Sequence, residues 1–290
     1  MLTDKQIEKR KSGLFGTDAS AIEGTSEFLG AYELYKIKRG EVSDEVAPNL
    51  AMALGHNCEP SNVKAIAKAI NKKVRGSNRT IWNKKLLCPK GKPFLGAHLD
   101  GKVVGERTIV ECKNVHYRAE AKWGEQGSDE IPPSYRSQIK HYCLVTGMRN
   151  VIVGAIFMSW PEHKIFNVTF SEEEIAELYE KEWGFWSRVQ QGIEPSVDST
   201  KGCEQALRRQ WPRVIDTEDM AQSDETVDKT LLLMGKNKEE MKKLRDEESR
   251  LKNIIRQKME DRPLLVHPEG YTVASYKEDK NGNRVLRIVK

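Results

Sequence analysis

The sequence has no apolar run near the roughly 18 residues that a membrane-spanning helix requires. Its first six residues, Met-Leu-Thr-Asp-Lys-Gln, lack the apolar core of a secretion signal. We therefore expect no membrane association and a cytoplasmic location. Apolar residues make up 38% and charged residues 31% of the 290 positions, which suits a soluble globular domain with a charged extension.

Cysteine is scarce and irregularly placed. The five cysteines are an odd number, and no two of them form a Cys-x-x-Cys pair; they are Cys58, Cys88, Cys112, Cys143 and Cys203. This pattern predicts reduced thiols rather than disulfides or a zinc site. The spacing also gives little support for a four-cysteine iron–sulfur cluster.

Acidic residues are missing from one long stretch. Between Pro60 and Leu99 the chain has no Asp or Glu but ten basic residues, namely Lys64, Lys68, Lys72, Lys73, Arg75, Arg79, Lys84, Lys85, Lys90 and Lys92. Such a segment predicts a positive surface, and phosphate backbones bind these surfaces with release of counterions. The alternative is a solvated helix face whose charge is balanced by acids elsewhere in the fold.

The segment from Asp100 to Lys113 points to chemistry. Asp100 ends one apolar run, and a second apolar run carries Glu111 and Lys113 two residues apart, on one face of a predicted strand. If the two runs pair as a hairpin, two carboxylates and an ammonium meet. Carboxylates hold Mg²⁺, and a lysine can orient a water, which is the arrangement needed to hydrolyse a phosphodiester. The alternative is a surface hairpin with Asp100-Gly101 as its turn and solvated charges.

Two further patterns flank this segment. Gly55 and Glu59 form a Gly-x-x-x-Glu motif in a helical stretch upstream, and Gln138 and Tyr142 lie four residues apart on one predicted helix face downstream. The chain thus carries four motifs in order: Gly-x-x-x-Glu, an apolar run ending in Asp, Glu-x-Lys and Gln-x-x-x-Tyr. In this order they resemble the motifs of the RecB-like branch of the PD-(D/E)xK nucleases. Within that branch the sequence resembles the YqaJ-type phage recombination exonucleases, which are relatives of the phage lambda exonuclease.

The resemblance covers about residues 10–195 of the chain. The glycine-rich segment 14–22 and the segment 131–136, which leads into the glutamine helix, match the same family. Leu99 stands where the name of the superfamily has proline. An apolar residue at this position is compatible with the end of a buried strand.

The resemblance implies roles for individual residues. The catalytic set would be Asp100, Glu111, Lys113 and Gln138, with Lys113 positioning the attacking water. Asp100, Glu111 and the backbone carbonyl of Cys112 would bind Mg²⁺, for which Mn²⁺ is expected to substitute, and Glu59 would serve a second ion or a water ligand.

The same resemblance implies binding to duplex DNA ends. Ser20 falls on the serine of the family's 5′-end pocket, and Arg10 or Lys11 would supply the arginine, because the equivalent spacing leads to Gly13. Further DNA contacts are expected from Arg75, Arg79, Arg118, Arg136 and Tyr142.

Local patterns predict an α/β fold. The patterns place helices before and after a central mixed β-sheet, and the resemblance implies that this is a PD-(D/E)xK restriction-endonuclease-like core. A helix over about 44–70 is expected to be broken at Pro60, strands are expected over 80–82, 94–99, 108–115, 151–157 and 164–170, and residues 120–132 are expected to form a mobile loop. Ser171 to Glu174 form a capping box that opens a helix to about Gln191.

The remaining chain divides into three predicted parts after a nuclease domain over 1–195. These are a linker over 196–223, a charged helical segment over 224–262 and a β-hairpin over 263–290. Apolar residues at Met241, Leu244, Leu251 and Ile255 make a short coiled-coil-like seam that Glu248 interrupts. The segment is expected either to fold as a helical hairpin or to self-associate, and its role is expected to be a structural cap or a clamp.

The function that these features predict is a Mg²⁺-dependent exonuclease on linear duplex DNA. The resemblance further implies 5′-to-3′ polarity, phage-type recombination with a single-strand annealing partner, a ring trimer, and a bacterial host cell. Two alternatives stay open: an endonuclease of the same superfamily, and a non-catalytic module that binds DNA ends.

Overall fold

The computed structural model describes residues 10–43, 50–76, 79–159, 162–213 and 221–289, and the chain divides into a first unit, 1–214, and a second unit, 215–290. The first unit contains seven described strands: β1 (Val74–Gly76), β2 (Ile81–Trp82), β3 (Gly96–Ala97), β4 (Gly101–Val103), β5 (Thr108–Val115), β6 (Asn150–Phe157) and β7 (Glu162–Thr169). Five of them form a sheet in the order β1-β4-β5-β6-β7, and β2 pairs with β3.

The central sheet is mixed. Strands β5 and β6 are parallel, whereas β1 with β4, β4 with β5, and β6 with β7 are antiparallel. The described helices of this unit are α1 (Gly16–Ile22), α2 (Ala31–Arg39), α3 (Leu50–Ala69), α4 (Pro133–Thr146), α5 (Glu172–Gln191) and α6 (Lys201–Gln210). This arrangement confirms the predicted α/β core with a mixed sheet between helices.

Alternation along β5 divides its side chains between two apolar clusters. Val110 packs with Ile66 of α3 on one face, and Ile109 and Val115 belong to the larger cluster on the other face, which also contains Ile139 of α4. Because side chains alternate along a strand, Glu111 and Lys113 share the face of Ile109 and therefore point toward α4.

Helix α5 and the strands before it agree with the local sequence signals. The Ser171 side chain accepts a hydrogen bond from the Glu174 amide, and the Glu174 side chain bonds back to Ser171, so the predicted capping box is present. The helix ends at Gly192, which has a positive φ of 73°. The strands predicted over 151–157 and 164–170 are present as β6 and β7, which pair antiparallel.

Three local predictions differ from the structure. Helix α3 continues from Leu50 to Ala69 with Pro60 inside it, because burial of Asn62 and Ile66 against the sheet holds the helix despite the missing amide hydrogen; residues 44–49 lie outside the described part. Only Gly96–Ala97 is a strand within 94–99. Residues 117–122, expected partly as loop, form a 3₁₀ helix.

The range 196–223, predicted as a linker, contains helix α6. The Thr200 side chain caps this helix by accepting a hydrogen bond from the Cys203 amide. Cys203 and Ala206 are buried in a small cluster with Tyr32 of α2. The sequence signal for α6 is weak because its amphipathic face covers only one to two turns and prolines lie on either side. Packing against α2 stabilises the helix.

The described part of the second unit, residues 221–289, consists of one long helix and three strands. Helix α7 (Glu225–Met259) is followed by β8 (Leu264–Val266), β9 (Thr272–Glu278) and β10 (Arg284–Ile288). Strands β9 and β10 form the predicted hairpin around Gly282, and β8 adds a strand on the other side of β9. Of the alternatives for the charged segment, the single helix excludes a helical hairpin. In the described ranges no helix is long and apolar enough to cross a membrane.

Gly154 of β6 lies against α3 too closely for any side chain. A Cβ there would lie 2.5 Å from Ile66 Cδ1 and 2.6 Å from Asn62 Oδ1. We expect Gly154→Ala to lower the free energy of unfolding by about 1–3 kcal/mol, because the buried neighbours must move. Thermal melts of the full chain measure this change.

The matched control is Gly184→Ala within α5, where an added Cβ meets nothing within 4 Å. This variant should melt at a higher temperature, with a free energy of unfolding raised by about 0.5–1 kcal/mol, because Ala favours a helix more than Gly does. Equal effects at the two glycines would contradict the close packing of α3 on β6.

Candidate active site

The start of β4 brings Asp100 beside the middle of β5. Gly101 pairs with Val110 across the two strands, and the Cys112 amide donates a 2.8 Å hydrogen bond to Asp100 Oδ2. The turn of this hairpin lies at 104–107, where Gly105 has a positive φ of 82°. The alternative in which Asp100-Gly101 is an exposed turn is therefore excluded.

A hydrogen-bonded cluster joins β5 to α4. Lys113 Nζ donates to Glu111 Oε1 at 2.6 Å and to Gln138 Oε1 at 2.9 Å. Gln138 Nε2 in turn donates to Glu111 Oε1 at 3.3 Å and to the Tyr142 hydroxyl at 2.7 Å. The ammonium also lies 4.7 Å from the centre of the Tyr135 ring, a cation–π distance. Sheet and helix thus hold the lysine from three sides.

Burial controls the charge state of this cluster. Glu111 is 2% exposed, and desolvation, followed by the nearby charge of Asp100, raises its pKa to about 8. Burial by itself lowers the pKa of Lys113, but the charges of Glu111 and Asp100 outweigh it and raise that pKa. A second cation near the two carboxylates would relieve the repulsion between them.

One carboxylate oxygen of the cluster makes no hydrogen bond. Glu111 Oε2 is buried and has no hydrogen-bond partner. Asp100 lies beside it and accepts a hydrogen bond from the Cys112 amide. The carbonyl of Cys112 points to the same edge of β5 as that amide. Two carboxylates and a carbonyl are hard oxygen donors that suit Mg²⁺, which binds through one or two carboxylates and retains waters. Within the described residues no three His, Cys, Asp or Glu side chains cluster as a metal site.

Glu59 of α3 faces the same cleft. Partial burial raises its pKa, and the charge of Asp100 adds to the effect. A cleft of about 390 Å³ is lined by Glu59, Asp100, Glu111, Cys112, Lys113, Gln138 and Tyr142 together with Arg10 and Thr17. The structure thus brings together all the residues for which catalysis or metal binding is predicted.

Asn62 ties the helix of Glu59 to the sheet, and sequence reasoning missed it. Its Nδ2 donates to the carbonyls of Gly154, at 2.9 Å, and Lys113, at 3.4 Å, while its Oδ1 lies 2.9 Å from His163 Nε2. Asn62 is fully buried and lies three residues after Glu59 on one helix face. That spacing was the available signal.

The predicted 5′-end residues are placed differently from one another. Ser20 is mostly buried and donates to the Thr17 carbonyl within α1, so its hydroxyl does not line the cleft. Thr17, in the first turn of α1, lines it instead, and Arg10 Nη2 donates to Thr17 Oγ1 at 2.6 Å. Lys11 is exposed outside this cleft.

The other predicted DNA contacts fall into two groups. Arg136 pairs with Asp129 and Glu174 at 3.4 and 3.3 Å and lies over Phe170, and its side chain is 33% exposed, so its contact with DNA stays a prediction. Tyr142 is buried, and its ring lies against Gly16, where a Cβ would come within 2.4 Å. The basic residues of 60–99, Arg75 and Arg79 among them, are exposed, as is Arg118, and Lys72 pairs with Glu106.

A carboxylate pair, a lysine and a helix-borne glutamine on a mixed sheet define the PD-(D/E)xK class, and the chain is a nuclease, a phosphodiesterase. Residues 7–149 match the family model described as YqaJ-like viral recombinase domain. This match, which covers just under half of the chain, confirms the resemblance predicted from the motifs.

Two relatives illustrate the similarity. The chain is 27% identical over 271 residues to the uncharacterized protein YqaJ of Bacillus subtilis strain 168, covering 90% of this chain and 79% of that protein. Its fold is similar to that of an alkaline exonuclease, LHK-Exo, from Laribacter hongkongensis, with a TM-score of 0.53 and 16% identity over 66% of this chain and 94% of that one. A structure of LHK-Exo with dAMP matches with a TM-score of 0.52 and 17% identity, covering 71% and 97% of the two chains.

Cation binding by the site is testable without an activity assay. We expect Mg²⁺ or Mn²⁺ to raise the melting temperature of the full chain and EDTA to reverse the rise. At a cation concentration of 100 times the Kd, the free energy of unfolding should increase by about 2–3 kcal/mol. Asp100→Asn should abolish most of this stabilisation because it removes a charged ligand.

Asp129→Asn is the matched control, since Asp129 is exposed and pairs only weakly with Arg136. It should leave the cation effect unchanged. An undiminished rise in Asp100→Asn would place the bound cation elsewhere.

Proposed function

We propose that this protein is a Mg²⁺-dependent exonuclease that degrades linear duplex DNA from 5′ ends and leaves a 3′ overhang for single-strand annealing recombination. The observation that carries the proposal is the buried Glu111 carboxylate, which has one oxygen on Lys113 and the other without a partner beside Asp100. The recombinase domain match supports recombination, while the polarity and the choice of Mg²⁺ rest on the family resemblance.

The residues of the cleft are proposed to have different roles in hydrolysis. Asp100, Glu111 and the Cys112 carbonyl would hold Mg²⁺, with Glu59 serving a second ion or a water. Bound there, the cation supplies positive charge that polarises the scissile phosphate. Lys113 is already held in place by Glu111 and Gln138, so its ammonium can orient the attacking water and offset charge that develops on the phosphate oxygens.

Arg10 and Thr17 are proposed to receive the terminal 5′ phosphate. The Arg10 guanidinium lines the cleft, and its buried Nε has no hydrogen-bond partner. The hydroxyl of Thr17 lies 2.6 Å from Arg10 Nη2 and is exposed, while Asp18 Oδ1 lies 3.9 Å from the same nitrogen. A terminal phosphate would take hydrogen bonds from both Arg10 and Thr17 and compete with Asp18 for the guanidinium. Recognition of a terminal phosphate distinguishes attack at an end from attack within the duplex.

The exposed basic residues between Pro60 and Leu99 support binding of the flanking duplex. They belong to the same unit as the cleft, and nonspecific backbone binding requires only exposed positive charge. A ring trimer and an annealing protein as partner are proposed by family resemblance alone.

The first test uses linear duplex DNA labelled separately at its 5′ and 3′ ends, with a closed circle as control. We expect Mg²⁺-dependent loss of the 5′ label and intact circles. Cut circles would establish an endonuclease instead, and binding without cleavage would leave the end-binding module.

Lys113→Ala should abolish cleavage and leave DNA binding in EDTA nearly unchanged, because the lysine acts on the reacting water and phosphate. Lys181→Ala, which alters an exposed lysine paired with Glu23 at 3.3 Å, is the matched control and should cleave normally. Cleavage by Lys113→Ala at the unmodified rate would mean that the site is misassigned.

Arg10→Gln tests the 5′-phosphate proposal. The unmodified protein should prefer 5′-phosphorylated over 5′-hydroxyl ends, and the variant should lose this preference, at a cost of about tenfold or more in rate on phosphorylated ends. Arg149→Gln changes an arginine that directly precedes β6, pairs with Glu172 and is not among the cleft residues, so it should keep the preference. A preference that persists in Arg10→Gln would contradict the assignment.

A further inference from the structure

Helix α7 exposes an unusual amount of apolar surface. Only its last turn is packed, through Met259, which is 1% exposed. Nine large apolar side chains of the helix are exposed among the described residues, namely Val227, Leu231, Leu232, Leu233, Met234, Met241, Leu244, Leu251 and Ile254. A soluble chain rarely leaves such a surface in water unless a partner covers it.

The apolar positions repeat every seven residues. Met234, Met241 and Ile255 lie on one series of positions spaced by seven, namely 234, 241, 248 and 255. Leu244 and Leu251 are also seven apart, and each lies three residues after a position of that series. These are the a and d positions of a heptad, and their average spacing of about 3.5 residues is that of a left-handed coiled coil. The seam is therefore one along which another helix can pack.

The charges beside the seam identify that other helix. Glu240 and Glu247 precede the a positions, whereas Lys238, Arg245 and Lys252 follow the d positions, so one side of the seam is acidic and the other basic. In a parallel pair of identical helices, Glu240 faces Arg245 of the second copy and Glu247 faces its Lys252. An antiparallel pair would set acid against acid and base against base.

We infer that α7 forms a parallel coiled coil with α7 of a second copy of this chain. In the proposed ring trimer a third copy would join the same coil, because neighbouring helices of a parallel three-stranded coil make the same flanking contacts. The complementary flanks favour the same chain in the same direction over an unrelated protein or DNA. The inference does not depend on the proposed nuclease chemistry, because it uses only residues of the second unit.

Glu248 is the one charged residue on the apolar seam between Met241 and Ile255. Lys252 Nζ lies 2.6 Å from Glu248 Oε1 within the same helix, so the charge is partly compensated where two copies would meet. A polar residue at an a position lowers stability but helps to specify how the strands align.

The decisive experiment is disulfide trapping in the full chain. Asn237 is at a d position, so Asn237→Cys should link two copies under mild oxidation and give a band of twice the monomer mass on a non-reducing gel. Asn253→Cys is the matched control, because Asn253 lies at the f position on the far side of the helix. The unmodified chain, whose five cysteines are free, sets the background.

Charge reversal tests the pairing itself. E240K/E247K and R245E/K252E, each combined with Asn237→Cys, should associate roughly tenfold more weakly than the parent, because every flanking pair becomes repulsive. An equimolar mixture of the two should restore the disulfide yield, since their flanks are complementary. Circular dichroism at 222 nm checks that each variant keeps its helices.

The inference is overturned if Asn237→Cys links no better than Asn253→Cys, which is the result expected for an antiparallel pair, for a different protein partner or for DNA as the occupant. It is equally overturned if the charge-reversed chains link as well alone as the parent does, because the seam would then not determine the pairing.

Discussion

The structure of the site depends on Glu111, a carboxylate that is only 2% exposed. Glu111 lies inside the first unit between β5 and α4, and an isolated charge at such depth is costly unless other groups compensate it. Lys113 and Gln138 satisfy one carboxylate oxygen, and the other is left without a protein partner. Burial and the neighbouring Asp100 raise the pKa of Glu111 to about 8, so a cation bound beside it, as the proposed function requires, would favour its ionised form.

The surrounding elements keep this cluster in place by polar contacts between layers. On one side, Asn62 joins α3 to the carbonyls of β5 and β6, which holds Glu59 at the cleft. On the other side, buried His141 of α4 lies 2.7 Å from Glu182 Oε1 of α5 and 2.9 Å from the Gly96 carbonyl. These contacts anchor the helix that carries Gln138, so the two helices reach the active strand from opposite faces of the sheet.

The second unit follows a different physical rule. Its strands and the last turn of α7 bury Met259 and Ala274, whereas the side chains of α7 from Glu225 to Leu251 are exposed among the described residues. A helix of 35 residues with this exposure gains stability mainly by covering its apolar seam. Its charge pattern, rather than its hydrophobicity, distinguishes a second copy from other partners.

The sequence by itself determined the features that depend on neighbours in the chain. Alternation put Glu111 and Lys113 on one face, the capping box began α5 at Ser171, and the four ordered motifs indicated the class of nuclease. Only the tertiary structure decided which distant groups meet. It continued α3 through Pro60, selected Thr17 over Ser20 beside Arg10, placed α6 in the predicted linker and added β8 to the hairpin. Each of these depends on packing between elements far apart in sequence, whose energy no local pattern contains.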